Sequence, residues 1–202
     1  MRLLPGGFLL TKMKRILCIG DSNTCGFDPR SCLGSRYPRE IRWTGRIAAS
    51  GFEVVNDGVN GRTFPRGTEL PALSARLQAK LPVDAVLILL GTNDLLLGRT
   101  AEETGRRASA MLETVCTLIP AERVLLIAPP RLTDGEWVSD PRLISESERL
   151  SGELEKAAAR CGVCFADAGR WGIKPVFDGV HFSPEGHMRF AEQLLEDLEK
   201  MP

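Results

Sequence analysis

Ser22, Asp178 and His181 are the residues of this chain whose types and spacing suit nucleophilic chemistry at neutral pH. Ser22 lies in Gly20-Asp21-Ser22-Asn23-Thr24, directly after apolar Ile16-Leu17-Cys18-Ile19, and the other two close Asp178-Gly179-Val180-His181. A serine hydroxyl is a weak nucleophile until a neighbouring base takes its proton, and that base needs a third group to orient it. With only two histidines in the chain, the choice of base is narrow. His181 stands three residues after a carboxylate, in a loop before an amphipathic stretch. Asp178 can therefore fold back onto Nδ1–H and hold the ring in the tautomer that faces the serine. His187 lies within that amphipathic stretch, has no comparably placed carboxylate, and reads as structural or solvated. The blander alternatives are a turn or helix N-cap at Gly-Asp-Ser and a capping aspartate beside an incidental histidine.

Two further positions fit the same chemistry. Gly91-Thr92-Asn93-Asp94 ends an apolar run, and the Asn93 amide there could donate to a developing oxyanion, a contact worth roughly 2.7–4 kcal/mol of barrier. Gly61, in Asn60-Gly61-Arg62-Thr63, could offer a backbone N–H where a side chain would obstruct substrate. The backbone N–H of Ser22 is a third candidate donor, as expected at a strand-to-helix turn. An ordinary turn asparagine is the alternative for Asn93.

These residues need elements to bring them together. Short apolar runs predict strands at 15–19, 53–56, 85–90, 124–128 and 163–165. The third, Ala-Val-Leu-Ile-Leu-Leu, is apolar throughout, as a parallel strand covered on both faces should be. Helical periodicity falls at 43–49, 69–80, 101–118, 141–160 and 184–200. Strand–helix alternation predicts an α/β fold, a three-layer α/β/α sandwich around a five-stranded parallel sheet of flavodoxin-like order 2-1-3-4-5. Ligands of such sheets sit beyond the carboxyl ends of the strands. Ser22 follows the first strand, Gly61 the second, Asn93 the third, and Asp178 and His181 the fifth, so four segments converge on one rim. Residues 14–202 are expected to form one catalytic domain. Residues 1–13 are apolar but broken by Pro5-Gly6-Gly7, and read as an extension outside the core rather than a signal peptide.

Composition narrows the function. The 202 residues are 43% apolar and 26% charged, and Lys plus Arg balances Asp plus Glu at 26 each. No global field therefore recruits nucleic acid or an anionic membrane surface, and no apolar run approaches the roughly 20 residues that cross a bilayer. Six scattered cysteines suit a reducing cytoplasm rather than a disulfide scaffold. Cys161-Gly162-Val163-Cys164 has redox or zinc-ligand spacing, but no second pair or clustered histidine completes a metal site. The Gly-x-Ser-x-Gly elbow of α/β-hydrolases fails at Thr24, and no phosphate-binding Gly-x4-Gly-Lys-Ser/Thr occurs.

Taken in order, the four motifs resemble those of the SGNH (GDSL-type) hydrolases, over essentially the whole chain from about Lys14. The resemblance implies Ser22 as nucleophile, His181 as base and Asp178 as orienting acid. It also implies an oxyanion hole from Ser22 N–H, Gly61 N–H and the Asn93 side chain, with no metal or other cofactor. Asn23 replaces the leucine often found after the serine. Arg42-Trp43-Thr44-Gly45 resembles a stretch of the arylesterase and acyltransferase branch. The implied activity is a serine esterase for small short-acyl esters, with acyl transfer where water is partly excluded. A carbohydrate O-acetylesterase is the nearest alternative; a lysophospholipase, a thioesterase or a non-catalytic binding domain fits less well. Asn23, Arg62 and Trp171 are the candidates for substrate contact. Leu95-Leu96-Leu97, Trp137, Trp171 and Phe177 could line a pocket, though a buried helix start and a homo-oligomer interface are the favoured roles for them.

Overall fold

The computed structural model describes residues 14–31 and 33–201; the expectation for residues 1–13 lies outside them, as does Cys32. Five parallel strands, β1 (Arg15–Gly20), β2 (Glu53–Gly58), β3 (Ala85–Leu89), β4 (Val124–Ala128) and β5 (Cys164–Asp167), form one sheet of order β2-β1-β3-β4-β5. This is the predicted flavodoxin-like order.

Alternate residues of the central strands feed two cores. Leu17, Ile19, Val86, Ile88, Val124 and Leu126 face one side, where α3 (Leu70–Gln78), α5 (Ala101–Cys116) and α6 (Pro141–Cys161) pack. Ile16, Cys18, Leu87, Leu89, Leu125 and Ile127 face the other, against Trp43 and Ile47 of α2 (Trp43–Ala49) and Phe190 and Leu194 of α7 (Pro184–Leu198). Helix cover on both faces is why β3 is apolar at every position. The helix ends are written locally: Thr100 and Glu103 form a capping box on α5, Asp140 and Ser183 cap α6 and α7 just before a proline, and α6 stops at left-handed Gly162.

The register aligns the carboxyl ends of the strands. Gly20 pairs with Gly58 on one side and Leu89 on the other, Leu89 with Ile127, and Ala128 with Asp167. The residues that follow β1, β2, β3 and β5 therefore share a rim. Two short helices there, α1 (Ser22–Cys25) and α4 (Thr92–Leu96), lie outside the spans marked by helical periodicity, because four or five residues are too few to display a 3.6-residue period. They carry Ser22 and Asn93. The second strand also runs two residues beyond its expected end, to Gly58, where α1 closes on it so tightly that a Cβ would lie 2.1 Å from the Cys25 nitrogen. Among the described residues, no helix is long and apolar enough to cross a membrane.

Candidate active site

The site begins with the first turn of α1. Asp21 is its N-cap and accepts the Asn23 N–H at 2.9 Å, which holds Ser22 at the first helical position. At a helix start the leading N–H groups lack intrahelical partners, and the Ser22 N–H meets no acceptor among the described residues. Across the rim, His181 Nε2 lies 2.9 Å from Ser22 Oγ, and His181 Nδ1 lies 2.6 Å from Asp178 Oδ2. The other Asp178 oxygen accepts the Val180 and His181 N–H groups at 2.8 and 2.9 Å. Burial alone would raise the Asp178 carboxyl; the bonds from the His181 ring and the two N–H groups outweigh it and hold it below the usual carboxylate range. The acid is thus ionised and aimed at Nδ1, leaving Nε2 free to take the serine proton.

The predicted oxyanion donors are drawn together by one amide. Asn93 Nδ2 donates to the Arg62 carbonyl at 3.1 Å and lies 3.5 Å from Asp21 Oδ2. It therefore ties α4 to the segment just after Gly61 and to the residue just before Ser22. The Gly61 N–H has no acceptor among the described residues. Its φ of +74° is the left-handed region, and a Cβ there would meet nothing within 4 Å. Glycine is needed here for the backbone turn rather than to relieve a clash with protein. The loop is anchored further on by Asp94, wholly buried, which accepts the Phe64 N–H at 3.0 Å and faces Arg99 and Arg107 at 3.5 and 3.6 Å.

The three side chains expected to contact substrate are committed to protein. Asn23 Nδ2 donates to the Val180 carbonyl at 3.2 Å, and its Oδ1 accepts the Phe182 N–H at 3.0 Å. Both bonds are buried and bracket His181, so Asn23 clamps the backbone on either side of that ring. The Arg62 guanidinium bonds the Asp57 carbonyl and carboxylate at the end of β2; its own carbonyl accepts from the Asn93 amide, and its charge is felt at Asp21. Trp171 is buried against Phe190 in the α2–α7 core. Leu95 is buried in the opposite core, whereas Leu97, Trp137 and Phe177 are exposed.

His187 proves structural. It is fully buried, its Nδ1 accepts the Trp43 N–H at 3.4 Å, and Tyr37 and Phe182 pack edge-on against it. Burial, with Arg46 and Arg42 nearby, pushes its pKa down to about 3. The Arg42–Gly45 stretch supports α1 from behind: the Trp43 indole N–H donates to the Asn23 carbonyl at 3.0 Å, and Asn56 bridges Thr24 and Thr44. Asp21, marked in the sequence only as part of a cap motif, is buried beside the site. Its burial pushes its carboxyl up to about 6, against the bond from Asn23 N–H and the field of His181. Cys161 ends α6 and Cys164 opens β5, and each thiol faces a different backbone carbonyl.

Comparison with known proteins identifies the family. No protein of curated function matches the chain. Among solved structures, Est24, a carbohydrate acetylesterase from Sinorhizobium meliloti, is 30% identical over 93% of this chain and 99% of its own, with a TM-score of 0.78. The native M. smegmatis aryl esterase is 28% identical over 94% of this chain and 100% of its own, with a TM-score of 0.79. A member of the lipolytic G-D-S-L family from Veillonella parvula, 20% identical over 91% of this chain and 97% of its own with a TM-score of 0.68, shares the fold. The sequence pattern of the GDSL-like Lipase/Acylhydrolase family matches residues 18–189. The chain belongs to that family, and it is a carboxylic ester hydrolase of the SGNH type.

Proposed function

We propose that the enzyme cleaves small, short-acyl esters, acetates above all, through an acyl-enzyme on Ser22. The observation that carries this reading is the unbroken chain Ser22 Oγ–His181–Asp178 at 2.9 and 2.6 Å. Ser22 Oγ attacks the ester carbonyl as His181 Nε2 accepts its proton, and Asp178 stabilises the imidazolium. The Ser22 N–H, Gly61 N–H and Asn93 amide receive the oxyanion. The tetrahedral species collapses, the alcohol leaves with the proton from His181, and water repeats the sequence to release the acid. An alcohol taking the place of that water would make the enzyme an acyltransferase.

The acetyl preference draws support from the carbohydrate acetylesterase and aryl esterase that the chain resembles at 30% and 28% identity. The first of these favours an O-acetylated sugar as the natural ester. One catalytic domain over residues 14–202 and a cytoplasmic location complete the reading; the five described cysteines, all free thiols, fit a reducing compartment.

Initial rates on p-nitrophenyl acetate, butyrate and octanoate, for wild type beside Ser22→Ala, test it. Turnover should fall with acyl length, and the variant should lose on the order of 10⁴- to 10⁶-fold in kcat. Turnover that rises toward octanoate, or that survives in Ser22→Ala, would refute it.

A further inference from the structure

Two aromatic rings lie against the base. The Trp137 ring is 4.9 Å from the His181 ring at an interplanar angle of 85°, and the Phe27 ring is 4.9 Å away at 57°. Trp137 is nevertheless 52% exposed. It is held there by backbone. The Trp137 N–H donates to the Asp178 carbonyl at 3.1 Å, the Glu136 N–H to Phe177 at 3.2 Å, and the Thr133 N–H to Gly179 at 3.2 Å. Gly135 packs so closely on this loop that a Cβ would lie 2.5 Å from the Gly179 nitrogen. The segment carrying the indole is therefore fastened to the loop carrying Asp178 and His181.

The chemistry decides which part of a substrate arrives beside that ring. During acylation the bond from Ser22 Oγ to the acyl carbon forms, the bond from that carbon to the alcohol oxygen breaks, and the oxygen takes the proton on His181 Nε2. The leaving oxygen must come within hydrogen-bond reach of Nε2, so the skeleton attached to it falls beside the rings that touch His181. The acyl chain extends from a different bond of the carbonyl carbon and is under no such constraint.

We propose that Trp137 and Phe27 form a leaving-group subsite that selects esters whose alcohol is a ring, a phenol or a pyranose, packed against aromatic surface. An indole presents a broad apolar face at little entropic cost, and it serves a flat aryl ring or the C–H face of a sugar. The inference rests on the roles proposed above for Ser22 and His181.

The test compares kcat/KM for phenyl acetate, an acetylated methyl pyranoside and ethyl acetate in wild type, Trp137→Ala, Trp137→Phe and Ser22→Ala. All three substrates carry the same acyl group, and kcat/KM reports the steps through loss of the alcohol. In Trp137→Ala the preference for a ring ester over ethyl acetate should fall by about five- to tenfold, the worth of one good aromatic contact. Trp137→Phe should restore most of it. A loss confined to the phenyl ester, or to the pyranoside, supports the subsite and names its ligand. An equal loss on all three esters would mean that the indole serves only His181, and would overturn the proposal, as would an unchanged preference. A wild-type dimer that Trp137→Ala dissociates in sedimentation velocity would show the ring covered by a second copy, which also overturns it. Turnover surviving in Ser22→Ala would instead remove the mechanism beneath it.

Discussion

Replacing Asp21 by asparagine removes a buried charge while keeping an oxygen that can cap α1. The wild-type carboxyl is pushed up from the ordinary aspartate range to about 6 by burial, despite the Asn23 N–H, His181 and Arg62, which favour the ionised form. Between those values the native state binds more protons than the unfolded chain, so this group makes stability fall as pH rises from about 4 to 6. Above pH 6 the penalty is complete. About two pKa units at roughly 1.4 kcal/mol each give about 3 kcal/mol. Asparagine has its own cost, since its amide would face the Asn93 amide across the present 3.5 Å contact, but that cost does not vary with pH. The experiment is therefore a difference of differences. Urea unfolding of wild type and Asp21→Asn at pH 3.5 and pH 8 should show the variant gaining about 3 kcal/mol on wild type between the two pH values. Activity should move the other way, because an anion near His181 favours the imidazolium formed in the transition state. An equal stability difference at both pH values would refute the burial argument.

Three other perturbations address the remaining supports. His187, with a pKa of about 3 in the native state, stays neutral while the unfolded chain protonates near 6.5. Stability is then lost as pH falls below 6.5, by about 1.4 kcal/mol per unit; His187→Gln should lose less than wild type between pH 7 and pH 4.5 in the same unfolding assay. Asn23→Leu strands the Val180 carbonyl and the Phe182 N–H, at a cost of about 2 kcal/mol or more of stability. Steady-state kinetics should show its loss in kcat rather than in KM, since the clamp acts on the base and not on substrate. Ser22→Ala, as described above, should abolish turnover without lowering the unfolding midpoint measurably.

Much of the scaffold was legible because its signals are local. Val86 and Ile88 alternate with Leu87 and Leu89 between two cores, and a strand so placed must be apolar at every position. Thr100, Asp140 and Ser183 announce helix starts by satisfying N–H groups two or three residues away. The motifs around Ser22, Gly61 and Asn93 were visible because each closely follows a strand, and that of His181 because a carboxylate, Asp178, shortly precedes it. What stayed hidden has no such local mark. The four-residue helix at Ser22 is held by its strand and by the Asp21 cap, and the five-residue helix at Thr92, which has no side-chain cap, by the packing around it; neither shows a periodic face.

Residue type and order settled the family chemistry and the sheet, and with them the rim on which the chemistry would meet. The tertiary structure decided which side chains remain free to act there. Asn23 and Phe182 stand 159 residues apart, as do Ser22 and His181, and only the register of the parallel sheet brings either pair within hydrogen-bond reach. The same packing buries Trp171, commits Arg62 to Asp57 and leaves Trp137 exposed beside His181. No composition or spacing separates those tryptophans, because a side chain's exposure depends on what the rest of the chain places against it.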